Sequence, residues 1–149
     1  MRFLMLMIPR VYQSEGADSP TATTGVPDAE TVAAMMRFNQ DLQDAGALLA
    51  LDGLHPLSSG ARIRFAEGGP TLMDGPFTEA KEVIGGYWML QVASKQEAID
   101  WAMRCPAQNG DMLELRQVQE MSDFPQDVVE AARENAPGLT ERMAASGRA

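Results

Sequence analysis

An α+β fold with the element order βαββαβ, an extra hairpin inserted after the second strand and a helical C-terminus is predicted by three observations. Residues 3–8 are apolar at every position and residues 84–93 nearly so, which is the pattern of strands covered on both faces. Two intervening stretches, 32–42 and 98–105, carry apolar residues at helical spacing. Residues 62–65 and 71–73 flank Glu67-Gly68-Gly69-Pro70, which reads as a hairpin turn.

Taken in order, the first strand stops at Pro9. Residues 9–27 carry Gly16, Ser19, Pro20, Gly25 and Pro27 among polar residues and form a long connection. Pro27, Asp28 and Glu30 suit a helix N-terminus, where carboxylates meet the positive end of the dipole, and Gly46 suits its end. Val32, Met35, Met36, Asn39 and Leu42 are the predicted inner face of this helix. Residues 47–51 make a short second strand, followed by the hairpin. The strand over 84–93 places Trp88, Leu90 and Val92 on one side and Tyr87 and Met89 on the other, both sides reading as core. Ser94 and Glu97 form a capping box for a second helix, whose inner face is Ala98, Trp101, Ala102 and Cys105 and which Pro106 stops. Residues 112–121 alternate as an edge strand does, residues 123–135 read as a C-terminal helix, and the chain from Gly138 reads as a weak helix or frayed end. In a ferredoxin-like sheet of this order the first and third main strands are central, and these are the two that are apolar on both faces. Two helices cover only one face of such a sheet. The expected cover for the other is a second copy of the chain, giving a homodimer with its sheets face to face.

The composition narrows the function. At 149 residues the chain suits one domain, here residues 1–120 with 121–149 as a helical extension of it. With 45% hydrophobic and 22% charged residues it is globular, and no run approaches the ~20 apolar residues that span a bilayer, so no membrane role is expected. The apolar run after Arg2 is shorter than the core of a signal peptide and reads as a strand, which agrees with a cytoplasmic protein. A net charge of -9 without a basic cluster argues against direct nucleic-acid binding. One cysteine, Cys105, excludes an internal disulfide, and its place on an apolar helix face before Pro106 reads as a structural thiol. With one His and one Cys no structural zinc set can form in a single chain, and neither a metal nor a cofactor is expected.

The most demanding local sequence is Asp74-Gly75-Pro76-Phe77-Thr78-Glu79-Ala80-Lys81-Glu82. Asp can bond its own backbone two residues on, Gly accepts a positive φ, and Pro fixes φ while removing a donor, so the chain must turn sharply here. This run resembles the signature of the DGPF type of YCII-related proteins. The resemblance extends over roughly residues 1–120: Ala45-Gly46-Ala47-Leu48 and Gly53-Leu54-His55-Pro56 are similar to the family's second-strand region, and Ile63-Arg64 to its hairpin. Gly85-Gly86-Tyr87 is similar to its central strand, Ala98-Ile99-Asp100-Trp101-Ala102 to its second helix and Glu114-Leu115-Arg116 to its last strand. Gln117 departs from the family, which often has Pro there, and this touches an edge of the sheet only. The resemblance implies a ferredoxin-like fold of the dimeric α+β barrel type, a pocket near the sheet and a His/Asp pair.

His55 and Asp74 are the candidate catalytic residues. An imidazole moves protons at physiological pH, and a carboxylate on its second nitrogen would hold one tautomer and stabilise the cation. If the hairpin folds back beside the second strand, the two converge at one end of the sheet. The plainer reading has His55 satisfying backbone groups at a strand end and Asp74 capping its own turn. Arg64, Phe77 and Lys81 are the candidate ligand-binding residues: a guanidinium fork for an anion, an aromatic wall after the turn, and a cation for a carboxylate or enolate. Against this, Lys81 with Glu79 and Glu82 can be a solvated charged turn, and Arg64 and Arg116 can pair with neighbours. No phosphate loop, nucleophile elbow or dinucleotide fingerprint is present. Three functions stand: a non-catalytic interaction scaffold whose pocket is vestigial; proton-transfer chemistry, such as elimination or isomerisation, on an unknown small molecule; or, second to that chemistry, a non-catalytic ligand-binding or regulatory module. The regulatory module follows from the resemblance, since such proteins are often encoded beside extracytoplasmic-function sigma factors, and an acidic surface suits a basic partner.

Overall fold

The computed structural model describes residues 1–10, 28–74 and 83–146. Its elements are β1 (Arg2–Ile8), α1 (Ala29–Asp44), β2 (Leu48–Gly53), β3 (Ala61–Ala66), β4 (Gly69–Asp74), β5 (Gly86–Gln91), α2 (Lys95–Arg104), β6 (Met112–Gln117), α3 (Gln126–Asn135) and α4 (Pro137–Ser146). Four strands form one antiparallel sheet in the order β2-β5-β1-β6, so the two segments that are apolar throughout occupy its centre, as the βαββαβ pattern predicts. β3 and β4 form a separate two-stranded sheet.

The helix boundaries follow from local chemistry. Asp28 caps α1 by accepting the Thr31 amide at 2.7 Å, which holds its carboxyl below the usual range. Gly46, at φ 68°, lies in the left-handed region that lets the chain leave the helix and start β2. Ser94 caps α2 by accepting the Glu97 amide at 3.1 Å. The return bond differs from a reciprocal capping box, because the Glu97 carboxylate accepts the amide of Ala93, one residue earlier, at 2.8 Å.

Both α1 and α2 pack on one face of the sheet. Phe38 and Leu42 from α1 and Ala98 and Trp101 from α2 join Phe3, Met5, Trp88, Leu90 and Val92 in a single buried cluster. Phe38 is its hub, meeting Trp88 and Trp101 edge to face at ring separations of 6.2 and 6.3 Å. The inner face of α1 is therefore Met35, Phe38, Asn39 and Leu42, whereas Val32 and Met36 point outward. Asn39 is buried because its Oδ1 accepts the indole N–H of Trp88 at 2.8 Å. Asn39→Ala would leave that donor unsatisfied in the core and cost about 1–3 kcal/mol in urea unfolding. In Trp88→Phe the same Asn39→Ala change should cost much less, since the donor it orphans is gone.

On the opposite face the strand register sets Leu4, Met89 and Ala50 in one cross-strand row and Leu6, Tyr87 and Asp52 in another, with the β5 residue in the middle of each. Leu6 and Ile8 are buried there, Leu4, Tyr87 and Met89 are half-buried, and Ala50 and Asp52 are exposed. This face is thus closed around Leu6 and Ile8 of β1, half-open over β5, and open over β2 and over β6, where Met112, Glu114 and Arg116 are exposed. β5 is shorter than the predicted strand, and its two sides differ, with the Trp88 side buried and the Tyr87 side half-open.

The C-terminal region holds two helices, so of the weak helix or frayed end expected from Gly138 the chain forms the helix. The first begins at Gln126 behind Pro125, and residues 121–123 form a 3₁₀ turn instead of its first turn. The second is ordered by Thr140, buried at the junction, whose hydroxyl donates to the carbonyls of Ala132 and Ala136. Glu120, just before this region, holds Arg2 of β1 through two 2.9 Å hydrogen bonds and so ties the extension to the sheet. No helix among the described residues is long and apolar enough to cross a membrane.

Candidate functional site

The end of the β2–β5 pair is built by glycine. Gly86 stands opposite Gly53, and a Cβ on Gly86 would lie 3.0 Å from the carbonyl oxygen of Asp52. The absence of a side chain lets the two strands close, and the next register pair, Asp52 and Tyr87, then meets through a 2.6 Å hydrogen bond from the phenol to Asp52 Oδ2. Donation to a carboxylate raises the Tyr87 hydroxyl above its ordinary range, so it stays protonated at neutral pH. Tyr87 is therefore a polar residue of the half-open face, a correction to its reading as core. Its partner was not singled out from the sequence. The signal was present in Asp52-Gly53 and Gly85-Gly86-Tyr87, but only the register pairs the two.

Beyond Gly53 the Leu54 amide donates to the Gly85 carbonyl at 2.8 Å, which ends the ladder. His55 follows, exposed, three residues past Asp52 in a stretch without regular structure. Pro56 and a 3₁₀ turn at Leu57–Ser59 then redirect the chain into β3. Among the described residues the hairpin consequently pairs only with itself and does not lie in register beside β2, the condition under which His55 and Asp74 were expected to converge. A different connection links them. Asp74 pairs with Ala61 at the base of the hairpin, and Ala61 is six residues beyond His55 across the 3₁₀ turn. The side chain of Asp74 lies outside the described residues, as do Phe77, Glu79, Lys81 and Glu82.

Arg64 stands on the exposed hairpin opposite Thr71, on the same ribbon face as Arg62 and Met73, and makes no ion pair among the described residues. The other ribbon face carries Ile63, Phe65 and Leu72, which are 60%, 80% and 65% exposed. Arg116 lies 3.8 Å from Glu114 on the same strand, so the neighbour-pairing reading holds for it. Among the described residues no group of three or more His, Cys, Asp or Glu side chains is placed to hold a metal.

Cys105 is half-buried at the end of α2, and burial pushes its thiol up to about 11. Its thiolate fraction at pH 8 is then about a hundredfold below that of an ordinary cysteine. Alkylation by iodoacetamide at pH 8 should be slower than in the urea-unfolded chain by about that factor, followed by mass spectrometry.

A family model described as the YCII-related domain matches residues 1–122. An uncharacterised protein of Rhizobium meliloti (strain 1021) is 31% identical over 98 residues, covering 66% of this chain and 77% of the relative.

Proposed function

Because the chain belongs to the YCII-related family, we propose that it works as a homodimeric small-molecule-binding protein of the DGPF type, with its pocket at the β2–β5 end of the half-open sheet face. The observation that carries this reading is the grouping at that end: an exposed imidazole three residues from a carboxylate that already orders a phenol, beside a half-buried apolar floor of Leu4 and Met89. In this reading His55 takes a proton from the ligand or returns one to it, the step shared by eliminations and isomerisations, and Asp74 accepts the second imidazole N–H. Phe77 and Lys81, which follow the Asp-Gly-Pro sequence, and Arg64 on the hairpin are assigned to holding an anionic ligand.

The lone imidazole makes the test direct. If Asp74 holds His55, the ¹⁵N shifts of the neutral ring show one tautomer in the wild type and a mixture in Asp74→Asn. Identical ¹⁵N shifts in both proteins would remove Asp74 from the mechanism. A regulatory module for a basic partner, such as an extracytoplasmic-function sigma factor, is the second reading, favoured by the net charge of -9. Co-purification with such a factor, retained in His55→Ala, would select it.

A further inference from the structure

We infer that the cleft between α1 and α2, on the helix side of the sheet, is a second ligand site, suited to a small carboxylate that also carries a hydroxyl or ammonium group. The cleft has a volume of about 170 Å³ and is lined by Ala34, Arg37, Phe38 and Asp41 from α1 and by Trp101, Arg104 and Pro106 from α2 and its end. That is roughly the space of six waters, enough for a molecule of a few heavy atoms.

Three features make it a recognition site for an anion. The guanidinium carbon of Arg104 lies 3.6 Å from the centroid of the Trp101 ring, a stacked arrangement. Stacking uses the face of the guanidinium and leaves the N–H donors at its rim, so the fork is oriented before any ligand arrives. Trp101 is itself held, being 6% exposed and packed against Phe38. Arg37 brings a second guanidinium to the facing helix, and neither arginine forms an ion pair with a carboxylate among the described residues. Two unpaired cations on one small cleft stand out in a chain with 21 acidic and 12 basic residues.

Asp41 sets the chemistry further. It lines the same cleft, without an ion pair among the described residues, so the local charge of the three side chains is +1. A dianion such as phosphate meets one repulsive carboxylate, whereas a monoanion is neutralised and can give Asp41 a hydrogen bond if it carries a donor. The position of Arg104 in the last turn of α2 favours a cation there on dipole grounds alone, but that accounts for neither Arg37 nor the concave lining.

The test uses the indole N–H signal of Trp101, with the Trp88 indole, hydrogen-bonded to Asn39, as internal reference. In a chloride-free buffer the protein is titrated with L-lactate, acetate and inorganic phosphate. The expected result is a saturable shift of Trp101 with lactate, weaker by about tenfold with acetate, and weakened by about tenfold or more in Arg37→Gln and in Arg104→Lys, which keeps the charge but loses the planar fork. Asp41→Asn should reduce the preference for lactate over acetate. A shift linear in concentration, or one unchanged in Arg37→Gln and Arg104→Gln proteins of unaltered thermal midpoint, would overturn the proposal. Preference for phosphate over lactate would overturn the assignment of ligand class.

Discussion

Leu90→Ala is expected to remove about 2–5 kcal/mol from the unfolding free energy, read from the urea midpoint at unchanged slope. Leu90 is 0% exposed and stands at the crossing of the sheet, opposite Phe3 on one neighbour and Leu48 on the other. Both flanking strands and the two helices close over it, so the surroundings have little freedom to collapse into the space left. Against a typical total of about 5–15 kcal/mol this loss is enough to leave the domain marginal at 37 °C. A loss below about 1 kcal/mol would mean that the α1–α2 layer is far more plastic than its edge-to-face ring packing implies.

One residue earlier the same strand gives the opposite expectation. Met89 points to the half-open face beside Leu4 and Ala50. If the protein is a homodimer joined through that face, Met89→Lys with Leu4→Lys places four like charges in the interface and should turn a dimer at micromolar concentration into a monomer by light scattering, a dissociation constant raised at least a thousandfold. The far-ultraviolet circular dichroism should be retained, because the helix-side core is untouched. A wild type that is monomeric at micromolar concentration would sink the dimer, and with it the pocket assigned to that face.

How much of this was legible varies with the physical origin of each feature. The central strands were legible because burial on two faces demands uninterrupted apolar runs, and few other roles do. The ends of α1 were legible because a side-chain cap and a positive φ select residue types outright, here Asp28 and Gly46. The phase of α1 was less so: Val32, Ala33, Ala34, Met35, Met36 and Phe38 are apolar around most of the helix, and the sheet's aromatic partners decide that Phe38 turns in and Met36 out. α4 was legible only as one of two alternatives, a weak helix or a frayed end, although Pro137 occupies the first helical position, where its fixed φ and missing N–H both favour the helix.

The site was the least legible part because it depends on register. β2 contains an irregularity between Leu48 and Ala50, and a shift of one residue there would move Asp52 to the other face of the sheet, away from Tyr87. No local signal in residues 48–53 reveals that shift. The same holds for the arginine cleft, whose walls come from helices separated by residues 45–94 and whose members look, one at a time, like solvated charges.

The placement of β1 at the centre of the sheet has a consequence for biosynthesis. Its partners on either side, β5 and β6, are Gly86–Gln91 and Met112–Gln117, so once made β1 has nothing to pair with until β5 follows, and its second neighbour comes later still. At about 5–20 residues per second, the apolar run Phe3-Leu4-Met5-Leu6-Met7-Ile8 remains without a partner strand for roughly 4–17 s in each round of translation. A nascent chain of this design is a natural client for a ribosome-associated chaperone, and codon changes that slow translation between β1 and β6 should lower its soluble yield without altering a single residue of the finished protein.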